Sequence, residues 1–104
     1  MSGPKDVEHT PDGRYVVIDG RRWRATDPAI PAERRDELQK ALMAWRRDVR
    51  RTRGTDEEQR SRAGVQAAKE ALGERGEPWW EQSDDERRAR WERRVPVPDE
   101  GGRD

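Results

Sequence analysis

A mainly α fold with a small β-hairpin is what this sequence predicts: an antiparallel helical hairpin capped by a two-stranded hairpin, then a short C-terminal helix, with disordered tails. Three observations carry that expectation. Two stretches with apolar residues at helical spacing meet at Gly54. Asp19-Gly20 stands between two β-prone runs, the strongest short hairpin signal. Finally, 23 basic residues balance 23 acidic ones along the chain. That balance fits salt-bridge-laced helices better than a polyelectrolyte tail.

Taken in order, residues 1–13 hold Gly3, Pro4, Pro11 and Gly13 with almost nothing apolar, and read as a flexible lead-in. A type I′ turn at Asp19-Gly20 pairs Ile18 with Arg21 and Val16 with Trp23. Period-2 alternation then puts Val16, Ile18, Trp23 and Ala25 on one face, the one expected to be buried. Tyr15, Val17, Arg22 and Arg24 take the other face. A lone hairpin is marginal in water, so it must lie on something.

The first helix is expected from about 31 to 53, with Pro31 at its first position and Gly54 as its stop. Its stripe is Leu38, Leu42, Trp45 and Val49. Thr55 and Glu58 form a capping box for a second helix from about 56 to 72 or 75. The second stripe, Ser61, Val65, Ala68 and Leu72 with Gly64 beside it, is made of small residues. Small residues against Leu and Trp allow a close antiparallel pair with a connection of one or two residues. Trp23 is expected to meet Trp79 or Trp80 over the open end. Ser83 and Glu86 form another capping box, opening a short peripheral helix within 82–94. With Trp91 as its one large apolar group, that helix is expected to dock weakly. Residues 95–104 read as an extended tail, which leaves 14–81 as the folded unit.

Composition limits the chemistry. Only 29% of residues are hydrophobic and 44% are charged, so the core must be concentrated on one seam. Cysteine is absent, which removes disulfides and thiolate chemistry. The longest aliphatic run is Val16-Val17-Ile18, far short of the ~20 residues a membrane span needs. No signal-peptide core is visible, and a soluble cytoplasmic protein is the expectation.

His9 is the single histidine and sits in the lead-in, so nucleophile–His arrangements and His or Cys metal sites find no residues. Asp56-Glu57-Glu58 and Asp84-Asp85-Glu86 offer carboxylates for an oxygen-only metal site. Both clusters lie at expected helix N-termini, where acids complement the dipole, and that role accounts for them. Gly73-Glu-Arg-Gly76 lacks the spacing of a phosphate loop and reads as a helix stop. No catalytic, cofactor-binding or metal-binding residue is assigned, and the chain is read as non-enzymatic.

Arginine outnumbers lysine 20 to 3, which GC-rich codon usage explains without a function. Its placement around tryptophan is more specific. Arg46, Arg50 and Arg53 are spaced i, i+4, i+7 and form a cationic row beside the apolar stripe. Such rows track phosphates, and tryptophan stacks on unpaired bases. In an antiparallel pair, however, Asp56, Glu57 and Glu58 are expected to neutralise that row. A protein-interaction or self-association module is therefore the first reading, with Tyr15, Arg22, Arg24 and Trp91 as its candidate surface. Nucleic-acid binding through Arg22, Arg24, Arg46, Arg50 and Arg53 is the second.

Gly20-Arg-Arg-Trp-Arg-Ala-Thr-Asp-Pro-Ala-Ile-Pro31, with Ala71-Leu-Gly-Glu-Arg-Gly-Glu-Pro-Trp-Trp80, resembles a family of short bacterial proteins. Some of its members carry the label "biopolymer transporter Tol". The resemblance covers about residues 14–81 and implies that these form the unit and that the tails are additions. It implies no activity for particular residues.

Overall fold

A computed structural model describes residues 8–98. The fold is mainly α with a small antiparallel sheet. Strands β1 (Glu8–His9), β2 (Tyr15–Ile18) and β3 (Arg21–Arg24) precede helices α1 (Ala32–Thr52) and α2 (Glu58–Leu72). A single 3-10 turn at Trp79–Glu81 leads into α3 (Asp84–Glu92). The expected tails at 1–7 and 99–104 lie outside the described residues.

The hairpin has the expected register, Val16 opposite Trp23 and Ile18 opposite Arg21. Asp19 and Gly20 both take positive φ, 52° and 77°, as a type I′ turn requires. Two features depart from expectation. The lead-in is ordered from Glu8, because β1 adds a third strand against β2. A turn stabilised by the Asp12 carboxylate, which accepts from Thr10 Oγ1 (2.6 Å) and the Arg14 N–H (3.0 Å), brings it there.

The buried face is also reversed. Ile18 and Trp23 are 44% and 42% exposed, and only Ala25 of the expected inner row is buried. The sheet is anchored through its opposite face, where Tyr15 meets Trp80 edge to face with centroids 5.6 Å apart. Arg24 donates to the Gly76 carbonyl at 2.6 Å on the same side. Trp79 occupies the open end of the helix pair and donates its indole N–H to Ala25 O (2.9 Å). Trp23 is thereby displaced from the position expected of it.

The helical hairpin holds the core: Ile30, Leu38, Leu42, Ala68, Ala71 and Leu72. Trp45 is 2% exposed and lies flat on Gly64, where any side chain would collide with the indole. At the loop end the seam turns polar. Ser61 Oγ donates to Asp48 Oδ2 (2.6 Å), and Thr52 Oγ1 lies 3.0 Å from Ser61 Oγ, all three residues buried. The connection is longer than expected, residues 53–57, with Gly54 at φ 82°. The box at Thr55 is modified: Glu58 accepts from the Gly54 N–H, while Thr55 accepts from Glu57 N. Pro31 is the N-cap of α1, not its first helical residue.

The C-terminal part is more firmly held than its apolar content suggested. The Ser83–Glu86 box is formed. Asp27, fully buried, receives both Arg87 and Arg90 of α3, and the Arg90 guanidinium also donates to Ala71 O (2.8 Å). Charge pairing therefore docks α3, and Trp91 adds contact with the core. Residues 95–98, expected as tail, return along the helices. Val95 packs on the core, and Pro96 O accepts the Trp45 indole N–H at 2.7 Å.

Candidate binding face

The helical hairpin has two broad faces. One is closed by α3 and residues 93–98: Arg34 of α1 donates to Trp91 O and Arg93 O, and Arg60 lies over the Trp45 ring. The other is open, and it carries the unassigned chemistry.

Between α1 and α2 on the open side runs a cleft of about 400 Å³ floored by the half-buried Val49 and Val65. Arg46, Arg50 and Arg53 rim it from α1, and Arg62 and Arg75 face them. The geometry follows from helical repeat. Val49 sits on the seam, and residues 46, 50 and 53 fall on the side of the stripe that points away from α3. Arg62, Gln66 and Lys69 repeat the i, i+4, i+7 spacing on α2, a legible signal that the arginine count of α1 overshadowed.

A second cleft, about 420 Å³, continues this one towards the sheet. It is lined by Val16, Ile18, Trp23 and Ala25 and by Arg46 and Lys69. Arg46 belongs to both, so the two form one surface: an arginine row leading to an exposed tryptophan. Arg21 lies over one side of the Trp23 ring, 4.7 Å from its centroid.

The electrostatics differ from the neutralised row expected. Glu57 pairs with Arg51 (3.5 Å), Glu58 with Arg62 (2.8 Å), and Asp48 with Arg51 (2.8 Å). Among the described residues no carboxylate lies within ion-pair distance of Arg46, Arg50 or Arg53. A bond from the Gly54 N–H orients the Glu58 carboxylate, which pairs with Arg62 and not with the row. That bond, with Arg62 and more distantly Arg53, holds the Glu58 carboxyl below the usual range. Partial burial lowers the Lys69 pKa, and the positive charges of Arg75 and Arg46 lower it further. Glu74, also on this rim, accepts from the Thr26 hydroxyl at 2.6 Å.

The residues expected at the surface divide differently. Tyr15, Arg22 and Arg24 do gather: Arg22 lies over Tyr15 at 4.5 Å, and Arg24 and Arg14 lie over Trp80 at 5.8 and 4.9 Å. They spend their aromatic faces on one another, which makes the cluster an anchor for the sheet. Trp91 is half-buried against the core and is not an exposed contact. Of the arginines read as nucleic-acid contacts, Arg46, Arg50 and Arg53 share the cleft, whereas the guanidinium groups of Arg22 and Arg24 lie on the opposite sheet face, over Tyr15 and Trp80. Arg62, Arg75 and Lys69 complete the face without having been singled out from sequence, together with Trp23 and Ile18, which were expected on the buried side of the hairpin.

Of the acidic runs, Glu58 and Glu86 accept backbone N–H groups at helix starts, and among the described residues no three His, Cys, Asp or Glu side chains converge on a metal-sized site. No helix among the described residues is long and apolar enough to cross a membrane. No family model, curated protein or solved structure matches the chain.

Proposed function

We propose that this chain is a non-enzymatic, cytoplasmic interaction module that binds an anionic macromolecule on the open face of its helical hairpin. One observation carries the reading. Arg46, Arg50 and Arg53 converge on a cleft with Arg62 and Arg75, and among the described residues no carboxylate lies within ion-pair distance of the first three. Clustered like charge destabilises a fold unless something compensates it, and here an outside polyanion does so. Arginine suits that role because its planar fork pairs with carboxylate, sulfate or phosphate oxygens two at a time. The shortage of nucleophiles and proton-transfer groups, one histidine and no cysteine, agrees with binding in place of catalysis.

The test is a titration with unrelated polyanions (polyglutamate, a sulfated polysaccharide and an oligonucleotide) at about 50 and about 200 mM salt. At least one is expected to bind at micromolar protein with a steep salt dependence. The triple variant Arg46→Gln/Arg50→Gln/Arg53→Gln keeps its circular dichroism and loses about two units of the log–log salt slope, at roughly 0.7 per lost contact for a single-stranded partner. Silence towards all three polyanions, or a triple variant that binds like the parent, overturns the proposal.

A further inference from the structure

Resting on that reading, we infer that the anionic partner is a single-stranded nucleic acid, its phosphates on the row Arg46, Arg50 and Arg53 and a base stacked on Trp23. The row and the indole are joined through Arg46, which lines both clefts. A strand following the arginines away from the hairpin loop therefore arrives at the tryptophan. Trp23 is prepared for stacking. It is 42% exposed, and Arg21 already covers one side of its ring at 4.7 Å, leaving the other for a base.

The other tryptophans lack this freedom. Trp45 lies under Gly64 and Arg60, Trp79 is bonded to Ala25 O, Trp80 is enclosed by Tyr15 and two arginines, and Trp91 is packed half-buried against the core.

The face discriminates among polyanions. A single strand offers phosphates and unpaired π-faces together, which a basic groove ending in an aromatic platform matches. Polyglutamate satisfies the guanidinium groups and gives Trp23 nothing to stack on. A duplex presents phosphates while its base faces stay stacked on one another, out of reach of the indole. Nothing on the face is arranged to read base edges, so binding is tolerant of sequence and shared by DNA and RNA.

The experiment is fluorescence anisotropy with end-labelled oligothymidylate and oligouridylate of about 12–16 nucleotides, against a duplex and polyglutamate of similar charge. Both single strands are expected to bind more tightly than the duplex or polyglutamate and to quench tryptophan emission. Trp23→Ala is expected to weaken single-strand binding by about 5- to 100-fold without changing the salt slope, and Trp23→Phe to restore part of it. Circular dichroism checks that the variants fold. Equal binding of duplex or polyglutamate, or a Trp23→Ala protein with parental affinity for oligothymidylate, sinks the single-strand assignment while leaving the anionic-partner reading in place. If no polyanion binds, both fall.

Discussion

At the scale of single residues, Gly64 shows how tightly the two helices approach. Its α-carbon serves as a floor for the Trp45 indole, and a methyl group there would overlap the ring. Gly64→Ala gains helix propensity, worth about 1 kcal/mol at most. It also forces Trp45 or α2 to move, an overpacking cost of typically 1–3 kcal/mol or more. Net destabilisation is expected, read as a lower urea midpoint with red-shifted tryptophan emission; an unchanged midpoint would show that the seam yields freely. This contact was legible in the sequence, where a small-residue stripe faces Leu and Trp. Asp48 was not: its burial follows from Ser61 of α2 bonding it across the seam, with Thr52 of α1 bonded to the same serine, which no local pattern encodes.

At the scale of elements, the hairpin illustrates what sequence reading can and cannot reach. Turn type and register are local, and Asp19-Gly20 sets both. Which face turns inward depends on what lies beneath, and Trp80 claimed Tyr15 before Trp23 could be accommodated. The same holds for α3. Its cap at Ser83 is written in four residues, whereas its docking depends on Asp27, which reads as an ordinary residue before a proline. Likewise the arginine row was visible on α1, but the pairing of Glu57 with Arg51 and of Glu58 with Arg62, in place of the row, was not.

Removing the Asp27 charge leaves two arginines without their counterion, one of them 6% exposed. Breaking a buried pair in this way costs about 3–5 kcal/mol. Asp27→Asn is accordingly expected to release α3, seen as accelerated amide exchange over 84–92 ahead of α1. Parental protection of those amides would refute this account of docking.

At the scale of the whole molecule, zero net charge conceals an uneven distribution. In α1 the acids Glu33, Asp36 and Glu37 are balanced by Arg34, Arg35 and Lys40, whereas Arg46, Arg47, Arg50 and Arg51 outnumber Asp48 towards the C-terminal end, where its dipole favours positive charge. The carboxylates that support the fold share one pH response. Burial raises the Asp27 pKa, but Arg87, the Ala29 N–H and Arg90 outweigh it and the net shift is downward. Asp48 is lowered first by the Ser61 hydroxyl and then by Arg51, and Glu58 is lowered as well. Each is more acidic folded than unfolded. Their stabilisation is complete above the unfolded values near 4 and disappears as pH falls through the lower folded ones. The melting temperature is expected to stay nearly level from pH 7 to about 5 and to drop below about 4. A melting temperature that holds or rises on acidification to about 3 would contradict this sign.

The partnership of Asp27 with α3 also imposes an order on biosynthesis. Its carboxylate and the Arg87 guanidinium are 60 residues apart in the chain. At translation rates of about 5–20 residues per second, the acid leaves the ribosome roughly 3–12 seconds before its counterion. Throughout that interval α1 and α2 can form their local turns, but the joint between sheet and helices holds an uncompensated charge and stays open. Completion of the fold therefore waits on α3, and a chain interrupted before residue 87 lacks the guanidinium groups that close this joint.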